Sequence, residues 1–344
     1  MIDAKIILES KQQIINNPER LKAEKDVIKF YGGLFNPKNL DRLTKDDFKS
    51  FLSITNNKHW EGIHRQSNMI TADMPKLIKA LKVLLNEDQD LKERLNILFP
   101  KNHPNFIKGL GRAIITPILM MVYPKKYGVF NTKSERGLKE MGLLPNFKGK
   151  SFSEKYFDVN NILKSLANKY DVTLWKLDEI IGWIALGNPP INEENNEGDN
   201  EMDLENPENN ADFGLEKHLE DFLIENWDKI NLGKQYNILE EDGDLIGQQY
   251  PTDIGPIDIL AKSKKNDKWL IIELKKGRSN DNVVGQILRY MGWVRKNLAK
   301  SNQKVEGVII VGGKDDRLEY ALNEINDKVS LKLYKVAFKL ENYK

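Results

Sequence analysis

Residues 192–212 constrain the fold more than any other segment, because they hold nine acidic residues, no basic residue and only three apolar ones. Such a composition cannot bury enough apolar surface to offset the entropy lost on ordering. We therefore predict a disordered acidic linker at 192–212. The chain has 344 residues, enough for about two domains, so we expect one domain at 1–191 and another at 213–344.

The two predicted domains differ in charge, although the net charge of the whole chain is only +2. Residues 1–191 carry 31 basic and 21 acidic side chains, whereas residues 213–344 carry 22 and 21. A basic domain is typical of proteins that bind a polyanion such as DNA. A lysine-rich solvated surface is the alternative, and charge alone does not decide between the two.

Several classes of protein are disfavoured by what the sequence lacks. The absence of cysteine excludes a disulfide scaffold, a thiol nucleophile and a cysteine-ligated metal site, and it fits the reducing cytoplasm, where we expect the protein. The first residues show no pattern typical of a signal peptide. The most apolar run, Ala113–Tyr123, is shorter than the roughly 20 residues of a membrane helix. No phosphate-binding GxxxxGKS or GxxxxGKT motif occurs, so we expect neither membrane contact nor a nucleotide cofactor.

The spacing of apolar residues predicts helices throughout the first domain. Apolar side chains recur with a period of about 3.6 over 74–85, and similar patterns predict helices at 91–99, 107–122, 134–141, 159–169 and 174–186. We therefore expect an all-α N-terminal domain.

The second domain combines helices and strands. The pattern predicts helices at 214–230, 282–299 and 316–325, and strands at 234–239, 246–250, 256–262, 268–275, 305–311 and 329–340. Their order along the chain is typical of a compact α/β domain, which we expect to contain a central mixed sheet.

Two of these strands each place a carboxylate among apolar residues, namely Asp258 and Glu273. A buried ionised carboxylate is costly unless it is paired or binds a metal. Lys275 follows Glu273 by two residues, which places both side chains on one face of a strand. We expect the three to converge on one site; a surface salt bridge between Glu273 and Lys275 is the alternative.

This set of side chains suits the hydrolysis of a phosphodiester bond. Two carboxylates can hold one or two Mg²⁺ ions, because this cation prefers oxygen ligands. The metal would neutralise the phosphate and lower the pKa of a bound water. The lysine would orient that water or meet negative charge in the transition state.

Neighbouring residues extend the predicted site. The helix at 282–299 carries four residues spaced by three or four on one face: Gln286, Arg289, Tyr290 and Trp293. Gln286 could reach the phosphate, whereas Tyr290 and Trp293 could equally pack the helix on the sheet. Lys276, Arg278 and Arg289 are candidate DNA phosphate contacts, which would position DNA without reading its sequence; solvated surface is the alternative for each.

Four motifs in order resemble the C-terminal nuclease domain of NucS-type DNA endonucleases: ExxLE at 216–220, GPIDIL at 255–260, IIELKKG at 271–277 and GQILRY at 285–290. The spacing of Asp258, Glu273 and Lys275 is also the signature of the PD-(D/E)XK nuclease superfamily. The resemblance covers about residues 213–311 and implies a PD-(D/E)XK, restriction-endonuclease-like fold that cleaves DNA with Mg²⁺ or Mn²⁺.

The resemblance also implies roles for single residues. Asp258 and Glu273 match the family's metal ligands, Lys275 its catalytic lysine, and Gln286 and Tyr290 its auxiliary QxxxY pair. Mismatch specificity does not carry over, because the family's partner domain is a β-sandwich and the domain at 1–191 is predicted to be helical.

The predicted first helix of the second domain carries Glu216 and Glu220, four residues apart on one face. Either could supply a further carboxylate, and one of them matches an acid in the family's first helix. We favour Glu216 as the additional metal ligand and retain Glu220 as the alternative.

Residues 107–111 (IKGLG) have the form of a helix-hairpin-helix turn. Paired glycines let the backbone approach a phosphate, whose charge the N-terminus of the next helix stabilises. The candidate DNA contacts in this region are Lys108, Gly109, Gly111 and Arg112. An ordinary helical hairpin is the alternative.

Residues 106–144 are also loosely similar to helix-hairpin-helix glycosylase cores. Asn131 falls near that family's catalytic aspartate, and Ala113 falls where some members carry lysine. Because an amide cannot act as the catalytic base, the resemblance implies DNA binding and not glycosylase chemistry.

We therefore expect a helical DNA-recognition domain tethered to a domain that hydrolyses DNA phosphodiester bonds. The pairing of separate recognition and cleavage domains favours a restriction or defence role, and cutting both strands of a duplex favours a homodimer. The alternatives are a repair endonuclease acting on branched, mismatched or damaged DNA, and a non-catalytic DNA-binding protein.

Overall fold

The computed structural model describes residues 18–57, 59–60, 66–100, 103–185, 219–279, 281–314 and 316–335. These residues form two compact units. The first holds the described residues before 198 together with Asp242–Asp244, and the second holds the described residues of 199–241 and 245–344. The predicted linker at 192–212 and Glu216 lie outside the described residues, so the domain boundaries stay a prediction.

The first unit is helical, as predicted. Its helices are α1 (Pro18–Leu34), α2 (Lys45–Leu52), α3 (Ile54–Asn57), α4 (Ser67–Ile70), α5 (Met74–Leu84), α6 (Leu91–Leu98), α7 (Arg112–Val122), α8 (Thr132–Glu140), α9 (Phe152–Tyr170) and α10 (Leu174–Ala185), with a 3₁₀ turn at Leu40–Arg42. None of the helices that the structure describes is long and apolar enough to cross a membrane.

Capping side chains fix where these helices begin. Asp73 caps α5 by accepting a hydrogen bond from the amide of Lys76, and Ser151 and Glu154 form a capping box at the start of α9. Helix α9 therefore begins seven residues before the predicted start at 159. Helix α7 begins at Arg112 and not at 107, because Gly109 has a φ of +84° and interrupts the helix.

The second unit contains a mixed sheet, also as predicted. Helical residues 219–225 and a 3₁₀ turn at Trp227–Lys229 precede α11 (Asn231–Gln235), β1 (Tyr236–Ile238), β2 (Gln248–Tyr250), β3 (Ile257–Ser263), β4 (Trp269–Ser279), α12 (Asn282–Asn297), β5 (Val305–Lys314), α13 (Asp316–Asn323) and β6 (Val329–Leu333). The order across the sheet is β1-β3-β4-β5-β6, with β2 beside β3. Pairing is antiparallel from β1 to β4 and parallel from β4 to β6.

The register of the β3–β4 hairpin decides where the polar residues lie. Ile259 pairs with Ile272, so the next position outward places Asp258 beside Glu273. Helix α12 then connects β4 to the parallel strand β5 and packs closely on it at Gly307, where a Cβ would lie 2.8 Å from Cδ1 of Ile287.

Candidate functional site

Asp258 and Glu273 meet at the open end of the β3–β4 hairpin. Oδ2 of Asp258 accepts a hydrogen bond of 2.8 Å from the amide of Leu274, the residue after Glu273. The Glu273 side chain is only 1% exposed, whereas Asp258 is half-buried. The two predicted acids are therefore brought together.

Lys275 completes this group. Its Nζ lies 3.2 Å from Oε1 of Glu273, and its side chain is 30% exposed. The lysine therefore lies at the rim of the site and the glutamate at its base. Because Glu273 is buried, its contact with Lys275 is not a solvated surface pair. The convergence of all three residues on one catalytic site stays a prediction.

Glu220 also belongs to this site. Its side chain is buried and accepts a 2.8 Å hydrogen bond from Nε2 of Gln248. Gln249 donates from Nε2 both to Glu220 and, at 3.2 Å, to Oδ1 of Asp258. Sequence reasoning missed both glutamines, because two adjacent strand residues are expected on opposite faces.

Tyr290 lies close to the two acids. Burial raises the pKa of its phenol, a hydrogen bond from Gln286 lowers it, and the negative charges of Glu273 and Asp258 raise it further, so that its pKa is above the ordinary value. The phenol oxygen would lie 3.0 Å from a Cβ at Gly255, a residue with φ of +108°. The structure thus brings the predicted Gln286–Tyr290 pair together beside the hairpin.

The remaining predicted residues of α12 and β4 lie in different environments. Trp293 donates a hydrogen bond to Asp253 and packs against Tyr250, which favours a packing role. Arg289 is exposed, with its guanidinium 5.9 Å from the centre of the Tyr290 ring. The side chains of Lys276 and Arg278 lie outside what the structure describes.

The donor atoms present fit a hard divalent cation. Asp258 and Glu273 offer neighbouring carboxylate oxygens, which Mg²⁺ and Mn²⁺ accept as ligands. Among the described residues, no three histidine, cysteine, aspartate or glutamate side chains form a group able to hold an ion. Since Mg²⁺ usually keeps several waters and binds through one or two carboxylates, a pair of acids is a sufficient protein contribution.

Two candidate DNA contacts of the first unit, Lys108 and Arg112, differ in how deeply they are buried. Lys108 is half-buried at the turn before Gly109. Arg112, by contrast, is 1% exposed, with NH2 2.7 Å from Oε2 of Glu135 and its guanidinium over the Phe130 ring. A phosphate contact by Arg112 is therefore not supported, because its charge is used inside the unit.

The N-terminus of α7, where we predicted a DNA phosphate, binds a carboxylate of the same unit. The amide of Ala113 donates a hydrogen bond of 3.1 Å to Oδ2 of Asp244. A Cβ at Gly111 would lie 1.9 Å from Oδ1 of Asp244, so the glycine permits this contact. Asn131 has a structural role, since it caps α8 by accepting from the amide of Ser134.

Comparison with known proteins shows that part of the chain is similar to an endonuclease family. Residues 215–326 match the family described as Endonuclease NucS C-terminal domain. Curated relatives named Endonuclease NucS are 35% identical over 91 residues in Corynebacterium aurimucosum and 29% identical over 116 residues in Methanocaldococcus jannaschii. The matches cover 26% and 30% of this chain, and 35% and 43% of those relatives. The predicted resemblance to NucS-type endonucleases is confirmed for this part of the chain.

Two solved structures also match part of the chain. One is titled as a crystal structure of a repair endonuclease from Pyrococcus abyssi, with 15% identity, a TM-score of 0.28, and coverage of 39% of this chain and 49% of that one. The other is titled as an EndoMS–dsDNA2 complex, with 15% identity, a TM-score of 0.27, and coverage of 40% and 50%. The chain therefore spans half or less of the length of these relatives.

Proposed function

We propose that this protein is a metal-dependent DNA endonuclease whose second unit hydrolyses phosphodiester bonds in a PD-(D/E)XK-type site. One observation carries the proposal: Asp258 lies beside Glu273, and Lys275 Nζ is 3.2 Å from the Glu273 carboxylate. A buried acid next to a second acid and a rim lysine is costly to maintain for stability alone. The match of residues 215–326 to an endonuclease family supports the same conclusion.

Each side chain has a chemical task in this proposal. Asp258 and Glu273 hold Mg²⁺ or Mn²⁺, which when bound neutralises phosphate charge and activates a water. Lys275, at the rim, orients the attacking water and meets charge that develops on the phosphate. Gln286 and Tyr290 position the phosphate from α12.

The comparisons change the biological role that we propose. The restriction or defence role was expected from domain architecture alone. The family and the curated relatives are named for Endonuclease NucS, which fits the alternative, a repair endonuclease, better. We therefore propose a repair-type enzyme that acts on branched, mismatched or damaged DNA, with no defence role assigned.

The first unit is proposed to hold the DNA. Residues 1–191 are strongly basic, and the half-buried Lys108, at the turn before Gly109, stays a candidate phosphate contact. A helix-hairpin-helix phosphate site is not part of the proposal, because Asp244 already accepts a hydrogen bond at the N-terminus of α7. Lys276, Arg278 and Arg289 are proposed to contact the phosphate backbone near the cleavage site. A homodimer, acting in the cytoplasm, would supply one active site for each strand of a duplex.

The test is a cleavage assay on matched, mismatched and branched duplexes of one length, with Mg²⁺, Mn²⁺ or EDTA. Wild type is expected to cut mismatched or branched DNA with metal only, and Asp258→Asn and Glu273→Gln are expected to cut none. Glu306→Gln is a suitable control, because Glu306 pairs with Lys268 in the same sheet, away from β3.

Two outcomes would contradict parts of the proposal. Wild type that binds these DNAs but cuts none with either metal would support a non-catalytic protein. Equal cleavage of all three substrates would contradict the repair role while leaving the nuclease intact.

A further inference from the structure

The side-chain amide of Gln249 lies between two carboxylates of the candidate site. Its Nε2 donates one hydrogen bond to Oε2 of Glu220 and a second, of 3.2 Å, to Oδ1 of Asp258. Because both oxygens lie within hydrogen-bond distance of one nitrogen, they are no more than about 6 Å apart. A single amide therefore connects the acid of helical segment 219–225 to the acid of β3.

The backbone at Gln249 explains how this contact arises. β2 pairs with β3 through Gln248 opposite Ile259 and Tyr250 opposite Ile257. Regular alternation would turn the side chains of residues 248 and 249 to opposite faces, yet both amides reach Glu220. Gln249 has a φ of +48°, a left-handed conformation that costs energy for a residue with a Cβ. The left-handed backbone at Gln249 therefore accompanies a side-chain amide that points to Glu220, on the same side as that of Gln248.

The two oxygens of Asp258 are held by different parts of the sheet. Oδ2 accepts from the Leu274 amide of β4 at 2.8 Å, and Oδ1 accepts from Gln249 of β2. Together these hydrogen bonds define the plane of the carboxylate. Glu220, which is 5% exposed, supplies the second acceptor that keeps the Gln249 amide in place.

We propose that Gln249 is a positioning residue, which ties Asp258 to Glu220 and so fixes the Asp258 carboxylate in the orientation needed to bind the divalent cation. The inference rests on the proposed function, because it assigns Asp258 to a metal site. The NH₂ group also offsets the repulsion between two carboxylates that are close together. Groups that orient a metal ligand from outside the ligand set change metal affinity without contacting the ion.

The test is calorimetric titration of MnCl₂ into the full-length protein, with melting temperatures measured before titration. Gln249→Gly removes the amide and accepts a positive φ without strain, so the effect of the side chain is separated from that of the backbone. Gln303→Gly is the matched control, since Gln303 is a buried amide of the same unit that accepts from Trp269 and from the amide of Lys300. Asp258→Ala reports the loss of the site itself.

Gln249→Gly is expected to weaken Mn²⁺ binding by about tenfold or more, whereas Gln303→Gly is expected to lower the melting temperature and keep wild-type affinity. Wild-type Mn²⁺ affinity in a folded Gln249→Gly protein would overturn the inference and leave the proposed nuclease standing. Absence of Mn²⁺ binding in wild type would overturn both. If Gln249→Gly fails to fold, Gln249→Asn serves instead: its shorter amide cannot span both acids, so unchanged affinity would again overturn the inference.

Discussion

Nζ of Lys275 lies 3.2 Å from Oε1 of Glu273, two residues away on β4. The lysine is 30% exposed and the glutamate 1%, so the pair places a cation at the mouth of the site and an anion at its base. This difference in depth gives the two residues separable tasks, which variants can distinguish.

Lys275→Ala is expected to lower the DNA cleavage rate by about 100-fold or more, because a charged group is removed from the transition state. Mn²⁺ affinity is expected to be unchanged or higher, since the lysine competes with a cation for the same carboxylate. Single-turnover cleavage and calorimetry measure the two effects. Lys268→Ala is the control, because Lys268 is 28% exposed and paired to Glu306. Loss of metal binding in Lys275→Ala would contradict the separation of tasks.

Tyr290→Phe is expected to slow cleavage by about tenfold, because the variant loses the hydroxyl that hydrogen bonds with Gln286. The pKa of Tyr290 is raised above its ordinary value, chiefly by burial, so the hydroxyl stays protonated at neutral and mildly alkaline pH. The pH dependence of cleavage below pH 9 should therefore have the same shape in both proteins. Tyr320→Phe, at a highly exposed tyrosine, serves as the control. A change in the shape of the profile would show that Tyr290 ionises during turnover.

The second unit is expected to lose stability in alkali through Tyr236. Burial, followed by its hydrogen bond to Glu306, raises the pKa of this phenol from 10.0 to about 12. A raised pKa in the folded state stabilises the protein below pH 10, and that contribution is lost as the pH rises towards 12. Tyr236→Phe should therefore show a decrease in melting temperature between these pH values that is smaller by about 3 °C. Equal slopes for the two proteins would contradict this account.

Substitutions of Arg112 and Lys108 should affect different properties: the first should lower stability, and the second should weaken DNA binding. Arg112→Ala removes a buried guanidinium that lies 2.7 Å from the half-buried carboxylate of Glu135 and should cost about 1–3 kcal/mol of stability. Lys108→Ala should leave stability within about 0.5 kcal/mol but weaken DNA binding and reduce the slope of log affinity against log salt by about 1. Denaturant unfolding and binding titrations at several salt concentrations measure both. Unchanged DNA affinity in Lys108→Ala would contradict a phosphate contact at this turn.

Much of the second unit could be predicted from sequence, because its signals are local. The apolar strands around Asp258 and Glu273 and the three- and four-residue spacing in α12 each identify an element within a short window. The predicted strand at 305–311 ends at the glycines, whereas β5 continues to Lys314, since pairing with β4 satisfies the backbone beyond them.

The remaining features depend on distant contacts. Nothing in the adjacent pair Gln248-Gln249 signals the positive φ of Gln249 or its hydrogen bonds to Glu220 and Asp258. Arg112 follows a glycine turn, a sequence that is typical of a phosphate-binding site. Its guanidinium nevertheless contacts Glu135 and Phe130, which are distant in the sequence, and is buried. When residues distant in the sequence bury a charged side chain, no pattern in the nearby sequence indicates it.

The β3–β4 hairpin also implies an order of events during folding. A hairpin closes on its own within about 1–10 μs, so Asp258 and Glu273 become neighbours early, with only the short turn between Ser263 and Trp269 to close. Tyr290 arrives later, because it lies on the helix that must cross over before β5 can pair in parallel with β4. A refolding chain should consequently bring Asp258 and Glu273 together before Tyr290 joins them.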